Sequence, residues 1–259
     1  QLWFEWLGRA DEFQRTILNR SETLLLLAAG PCALVLLQRD RRVWATTAIA
    51  AAMAVIMLGV SNSNQIAGAL ALAGAVVAWW SGPWLQRLLA GLLVVGVLGA
   101  PLLPTTLLAP ERLAGYFDSN HYSGLHRLHI WRFTAERIAE APVLGWGMDA
   151  SRRIPGGNTK LPGGGNIMGL HPHNASLQIW LELGGVGAVL WAILLAGLWL
   201  RAGDLGRRSE RAVATGLLLA GLTVANLSFG IWQTWWLVAL SLGCVMFALA
   251  VRLRPKSKK

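Results

Sequence analysis

The chain has 259 residues, of which 54% are hydrophobic and only 14% are charged, and its formal net charge is +10. Several apolar runs approach the length of about 20 residues that a helix needs to cross a bilayer. The composition therefore excludes an ordinary soluble domain and predicts an all-α polytopic membrane protein with about seven transmembrane helices and one large loop.

The predicted spans, in chain order, are residues 23–37, 43–60, 66–80, 88–104, 175–200, 212–230 and 235–251. They divide the chain into five parts. These are an extracytoplasmic or interfacial segment 1–22, N-terminal helices 23–104, the large loop 105–174, C-terminal helices 175–251 and a basic cytoplasmic tail 252–259. Because the chain opens without methionine and inside what reads as a loop or interfacial helix, we expect further helices N-terminal to it.

The positive charge is concentrated in one set of loops. Residues 38–42, 81–87, 201–211 and 252–259 hold 13 of the 23 Lys and Arg residues but only three of the 13 acidic residues. The positive-inside rule makes these loops cytoplasmic, and it places the loop 105–174 on the opposite side of the membrane. The basic balance therefore indicates topology and not nucleic-acid binding.

The large loop is predicted to contain one helix and a glycine-rich cover. In "GLHRLHIWRFTAERIAEAP", apolar residues recur at three- and four-residue spacing until Pro142 ends the pattern. Residues 145–169 then hold eight glycines, which excludes a regular helix there. Structureless loops of this length are uncommon unless they are functional, so the chemistry is expected here.

Two predicted helix starts on the outer side carry residues suited to an anion. Asn174 is expected to cap the span that follows it and to leave His173 beside a helix N-terminus, which favours negative charge. At the other start, Asn19 is expected to be the N-cap, Glu22 has the capping-box spacing, and Arg20 projects from the first turn.

Arg127 and Trp131 are four residues apart and share a face of the loop helix. We expect Arg20, Arg127 and His173 to converge in one outer cavity. Arginine binds phosphate through two charge-assisted hydrogen bonds, and histidine is the usual general base at neutral pH.

Each of these residues also has a plainer interpretation, as an interfacial arginine, a member of a surface ion pair or a helix flank. A metal site is a further alternative, although no acidic or cysteine partner stands at ligand spacing. Its ligands would be the histidines of the loop, His126, His129, His171 and His173.

Three stretches of the sequence resemble a known family. They are "NRSETLLLLAAGP", "HRLHIWRFTAERIAEAPVLGWG" and "HPHNASLQIWLELGGVG". In these motifs and their order the chain resembles the O-antigen ligase and Wzy-type polymerase superfamily of bacterial envelopes. The resemblance implies a multi-pass inner-membrane glycosyltransferase whose active site faces the periplasm. Such an enzyme transfers a glycan from undecaprenyl diphosphate to a hydroxyl of lipid A core or of a growing polysaccharide, with inversion and without a metal or other cofactor.

The resemblance also implies roles for individual residues. Arg20 and Arg127 would bind the donor diphosphate, and His173 would be the base for the acceptor hydroxyl. Further substrate contacts would come from Asn174, Trp131, Asp149, Arg152 and His171. The chain departs from the family pattern at residues 61–65, where "SNSNQ" replaces a Ser-Arg pair. Either neutral amides serve there or one diphosphate contact is missing.

Two other functions stay open at this point. A transporter or flippase for an anionic lipid-linked substrate would need charged residues at mid-membrane, broken helices or internal repeats, and the predicted spans are nearly free of charge. A non-catalytic scaffold would tolerate the loss of His173 and Arg127. Ligase and polymerase share the donor and differ in the acceptor, so the sequence does not separate them.

Overall fold

The computed structural model describes residues 18–116, 122–161 and 165–254. Within these ranges the chain is helical, and the only strand-like pairing is an isolated bridge between Lys160 and Asn166. The described helices are α1 (Asn19–Gln38), α2 (Arg42–Leu58), α3 (Asn62–Trp80), α4 (Trp84–Leu98), α5 (Pro110–Leu113), α6 (Tyr122–Glu140), α7 (Ala175–Gly203), α8 (Arg208–Leu227) and α9 (Thr234–Arg252). Short 3-10 helices cover Ala100–Thr105, Ala114–Tyr116 and Ala150–Arg153.

Each predicted span coincides with one of these helices, which confirms the all-α class. By length and composition α1, α7 and α9 are able to cross a membrane, and α2 and α4 are shorter apolar helices. The number of spans and the side on which the loop lies stay predictions. The predicted span 88–104 runs too far, because α4 ends at Leu98 and the following 3-10 helix contains Pro104, which cannot continue an α-helical ladder.

The apolar helices expose large side chains that a soluble domain would bury. Val95 on α4 is 71% exposed, and Leu190 and Ile193 on α7 are each 63% exposed. Contiguous apolar surface of this kind marks contact with a partner or a membrane. Together with the span-length helices, it supports the prediction of a membrane protein.

The chain forms two compact units. The described part of the first comprises residues 18–82, 205–224 and 237–254, and α1, α2 and α3 pack against one another in it. The second unit comprises residues 83–204 and 225–236, apart from the gaps in the described chain. In it α4 packs along α7, and α6 packs on α7 and on the 3-10 helix Ala100–Thr105.

The predicted loop helix is confirmed as α6, which supplies one side of the core of the second unit. Its Ile130, Phe133 and Ile138 pack with Leu177 and Leu181 from the first turns of α7. Burying an aliphatic or aromatic side chain of this size contributes about 1.5–3 kcal/mol. The core therefore fixes α6 against the start of α7, where the candidate site lies.

A backbone break divides α7 at Gly184, which has φ 63° and ψ −163°. The break frees backbone groups that the segment after α6 then satisfies. Four hydrogen bonds form this clasp: Trp146 N to Leu181 O (2.9 Å), Gly147 N to Glu182 O (2.9 Å), Gly185 N to Pro142 O (2.8 Å) and Val186 N to Val143 O (3.3 Å). The residues before the break are mostly buried in the second unit, and the strongly exposed apolar face begins at Val186. The predicted span 175–200 thus consists of a buried half-helix and a longer apolar helix.

Candidate functional site

A cavity of about 400 Å³ opens in the second unit, between α6, Lys160 with residues 165–169, and the residue before the N-cap of α7. Its lining residues are His126, Arg127, Ile130, Lys160, Gly165, Asn166, Gly169 and His173. None of these carries a carboxylate, whereas Arg127 and Lys160 are cations. The cavity therefore has the charge and hydrogen-bonding character of an anion site.

His173 is held in one orientation at this cavity. Its backbone has the left-handed φ of 54°, and its Nδ1 lies 2.6 Å from the carbonyl oxygen of Ser228. Because a carbonyl oxygen only accepts, the proton of the neutral ring must be on Nδ1, which leaves the lone pair on Nε2. Burial lowers the pKa of His173, the Ser228 hydrogen bond raises it, and nearby Arg127 and His126 lower it further. The result is a neutral imidazole with a basic Nε2 at neutral pH.

His171 supports His173 from the side and does not line the cavity. Its Nδ1 accepts a hydrogen bond from the backbone N–H of His173 at 3.1 Å, and the two ring centroids are 4.2 Å apart. Burial is the main cause that lowers the pKa of His171 to about 3, with smaller contributions from His173, Arg152 and Arg127. A neutral His171 is needed here, since a second cation beside His173 would disfavour proton uptake by that ring.

Arg127 is half-buried at the cavity and has no ion-pair or hydrogen-bond partner among the described residues. Burial lowers its pKa, although an arginine stays charged at neutral pH. A half-buried guanidinium without a carboxylate is costly unless an anion from elsewhere pairs with it. Trp131, one turn further along α6, donates its indole N–H to the carbonyl oxygen of Pro172 at 2.9 Å. It thereby ties α6 to the segment that carries both histidines.

Asn174 caps α7 as the sequence predicts. Its side-chain oxygen accepts from the backbone N–H of Leu177 at 3.0 Å, and its own backbone is extended. Next to it, the side-chain oxygen of Asn226 accepts from the backbone N–H of Ser176 at 3.1 Å and from its hydroxyl at 2.9 Å. These amides are engaged with the helix start, which fixes the position of His173.

Asp149, the N-cap of the 3-10 helix Ala150–Arg153, forms an exposed ion pair of 2.8 Å with Arg152 of that helix. Neither residue lines the cavity, although Arg152 is close enough to lower the pKa of His171. An exposed pair of this kind contributes little to stability. A role for the pair in substrate binding stays a prediction.

The first unit holds Arg20, which is exposed in the first turn of α1 as predicted. The predicted N-cap is wrong: Leu18 is the N-cap, no side chain caps the helix, and Asn19 is the first helical residue. Because Arg20 belongs to the first unit and Arg127 and His173 to the second, their convergence stays a prediction.

The amides of residues 61–65 have a structural role in the first unit. Asn64 is 1% exposed, and its side-chain amide donates to Asn19 O at 3.0 Å and to the Glu22 carboxylate at 3.2 Å. Its side-chain oxygen accepts from the Thr23 hydroxyl at 2.9 Å. Glu22, expected in a capping box, thus bonds across to α3 instead, and Asn64 is committed to packing α3 on α1.

The sequence reasoning missed Glu182, the most extensively hydrogen-bonded side chain near the site. It is 0% exposed, and its carboxylate accepts from five donors of the second unit. These are Asp149 N (2.9 Å), Ser151 N (3.4 Å), Ser151 Oγ (2.6 Å), Gln178 Nε2 (3.1 Å) and Trp232 Nε1 (2.5 Å). The signal was present, since a lone acid inside an apolar predicted span marks a functional position by default.

The histidines do not assemble a metal site in the described part of the chain. No group of three or more His, Cys, Asp or Glu side chains there has suitable geometry. His126 is engaged instead with the backbone, because its Nε2 lies 2.9 Å from the carbonyl oxygen of Asn166.

The amino-acid sequence of this chain is similar to those of several curated proteins. A protein named "Putative polysaccharide ligase" from Rickettsia conorii is 27% identical over 231 residues, which cover 87% of this chain and 56% of that protein. A protein of the same name from Rickettsia bellii is 26% identical over 93% of this chain and 60% of that protein. The chain thus spans a little over half the length of these curated relatives. No solved structure matches.

A family model described as O-antigen ligase matches residues 49–192, more than half of the chain. The matched region includes α6, the clasp at Gly184, and the pair His171 and His173. The apolar helices and this match together identify a membrane protein, and the chain belongs to the O-antigen ligase family.

Proposed function

We propose that this chain carries the catalytic centre of an integral inner-membrane glycosyltransferase, with the active site facing the periplasm. It transfers a glycan from an undecaprenyl-diphosphate donor to an acceptor hydroxyl, on lipid A core or on a growing polysaccharide, with inversion and without a metal. The supporting observation is that a half-buried Arg127 without a partner in the described chain and a neutral His173 line the same cavity, which has no described carboxylate.

The reaction balances with these two groups. The acceptor oxygen attacks the anomeric carbon and forms the new glycosidic bond, while its proton passes to Nε2 of His173. The bond from the anomeric carbon to the diphosphate oxygen breaks, and the electron pair leaves with undecaprenyl diphosphate. Arg127, with Lys160 beside it, stabilises that negative charge. Attack from the face opposite the leaving group inverts the anomeric centre.

The other predicted residues take supporting parts in this proposal. Trp131, Asn174 and His171 hold His173 in position through the contacts described above. Arg20 is proposed to meet the donor diphosphate from the start of α1. Asp149 and Arg152 are proposed to contact the glycan at the rim of the site.

The proposal is tested with a purified undecaprenyl-diphosphate-linked glycan and the full-length protein in lipid nanodiscs. Removing the guanidinium in Arg127→Gln is expected to weaken donor binding about tenfold or more, since a charge-assisted hydrogen bond to a buried partner contributes about 1.5–3 kcal/mol. Arg132→Gln is the matched control on the same helix, because Arg132 pairs with Glu136 at 2.8 Å and does not line the cavity. Equal donor affinity in both variants would contradict the role of Arg127.

A transporter or flippase is the second candidate, and two observations favour it: the break in α7 at Gly184 and the buried carboxylate of Glu182. However, the five donors to that carboxylate are all neutral groups of the protein, and no cationic side chain pairs with it in the described chain. The carboxylate is thus already engaged in structural hydrogen bonds. Proteoliposomes separate the two functions. A transporter moves the lipid-linked donor across the bilayer without acceptor, whereas the proposed enzyme consumes the donor only when an acceptor hydroxyl is present.

A further inference from the structure

The carboxylate of Glu182 contacts two separate segments near His173. On one side its carboxylate accepts from the indole N–H of Trp232. On the other it accepts from the hydroxyl of Ser151 at 2.6 Å, and the same hydroxyl lies 3.3 Å from the carbonyl oxygen of Leu170, just before His171. A single buried carboxylate thus connects two separate stretches of chain that approach the histidine pair.

The turn 228–233 joins this carboxylate to the histidines. Ser228 accepts from Nδ1 of His173 through its carbonyl oxygen, and the side-chain amide of Gln233 lies 3.3 Å from Nε2 of His171. The turn itself is held by Trp232 on Glu182 and by the backbone N–H of Ile231, which donates to Oε1 of Gln178 at 3.0 Å. Gln178 in turn donates to Glu182 at 3.1 Å.

We propose that Glu182 is a further positioning residue of the site: it fixes the turn 228–233 so that the Ser228 carbonyl holds the Nδ1 proton of His173 and leaves Nε2 free as the base. This inference rests on the proposed function for its catalytic meaning, although the positioning is measurable without any transfer assay. Glu182 does not line the cavity and acts only through these contacts.

The geometry indicates why the carboxylate is required. Oε2 accepts from Asp149 N and Trp232 Nε1, and Oε1 accepts from Ser151 and Gln178. A glutamine has one accepting oxygen and one donating amide, so one of these two sets of donors loses its acceptor and faces another N–H. Buried donors left without an acceptor are strongly unfavourable, and the turn or the loop must shift to satisfy them.

The test compares Glu182→Gln with the wild-type full chain, both labelled with 15N-histidine in lipid nanodiscs at pH 7.5. Protonated and unprotonated ring nitrogens have well-separated 15N shifts, and the His173→Gln spectrum assigns the His173 signals. We expect wild-type His173 to be protonated on Nδ1 and the Glu182→Gln protein to change largely to the Nε2-protonated form. Glu140→Gln is the matched control, because Glu140 pairs with Arg137 at the exposed end of α6, and it should keep the wild-type spectrum.

A folded Glu182→Gln protein with the Nδ1 proton retained would overturn the proposal. Should that variant fail to fold, Trp232→Phe decides, because it removes one donor and keeps the carboxylate: a shifted tautomer supports the proposal and an unchanged one overturns it. Transfer is measured in parallel, where kcat is expected to fall about 10- to 100-fold with the KM for donor within about twofold. If the wild-type chain shows no transfer but Glu182→Gln still changes the tautomer of His173, the proposed function is refuted and the positioning role of Glu182 is supported.

Discussion

Replacing Gly184 by alanine is expected to unfold the clasp between α7 and the segment after α6. The φ of 63° and ψ of −163° belong to a region that is essentially restricted to glycine, and a side chain there costs about 1–3 kcal/mol. An added Cβ would also lie closer than real contacts allow to the backbone of Val143 and of Gly145. Because backbone atoms cannot rotate away as a flexible side chain does, the clasp itself must open.

The magnitude follows from the contacts that would be lost. The clasp has four backbone hydrogen bonds, each with a net contribution of about 0.5–1.5 kcal/mol. Losing two of them, in addition to the strain, predicts a decrease of about 2–6 kcal/mol in the free energy of unfolding. The assay is reversible unfolding in mixed detergent micelles, followed by tryptophan fluorescence.

The matched control is Gly197→Ala in the same helix, where an added Cβ meets nothing within 4 Å. That substitution should be neutral or slightly stabilising, by up to about 1 kcal/mol, since alanine favours helix more than glycine does. Superimposable unfolding curves for the two variants would refute the argument that the break at Gly184 requires glycine.

Three further predictions concern the start of α7, the histidine pair and the first unit. Asn174→Ala removes the cap on Leu177 and should destabilise the protein by about 1 kcal/mol, measured by the same unfolding assay. For His171, the folded pKa of about 3 lies below the unfolded 6.5, so the unfolded state binds a proton first as the pH falls. Between pH 6.5 and about 3, His171 should therefore decrease the free energy of unfolding by up to about 1.4 kcal/mol per pH unit, and His171→Gln should remove this contribution. Asn64→Leu withdraws a donor from the buried carboxylate of Glu22 and should cost about 1–3 kcal/mol, whereas unchanged stability would count against the structural role of this amide.

The sequence predicts well those features that depend on neighbouring residues. Periodicity located α6 and the helices that coincide with the predicted spans, and the spacing of Asn174 to the apolar run predicted its cap. In each case the signal lies within a few residues of the feature it predicts. Arg127 and His173, by contrast, are 46 residues apart. Both line one cavity, and the roles assigned to them stay predictions.

The features that were missed depend on contacts between distant parts of the chain. Glu182 meets Ser151 and Trp232 across separations of 31 and 50 residues, and Asn64 meets Glu22 across 42. Local spacing favoured a capping box for Glu22. In the structure its carboxylate accepts instead from the side-chain amide of Asn64 on α3. Likewise, the sequence predicts the paired glycines of "LELGGVG" to be ordinary span residues, whereas Gly184 breaks the helix and Gly185 bonds to Pro142 in the segment after α6.

The central claim is that His173 is the base that receives the acceptor proton, and single-turnover transfer tests it most directly. Full-length protein in nanodiscs is saturated with undecaprenyl-diphosphate-linked glycan, and transfer to acceptor is timed for wild type, His173→Gln and the control His129→Gln, whose imidazole does not line the cavity. We predict that His173→Gln binds donor normally and transfers about 100-fold more slowly or worse, while the control matches wild type. Transfer by His173→Gln at the wild-type rate would contradict the account and require a different base.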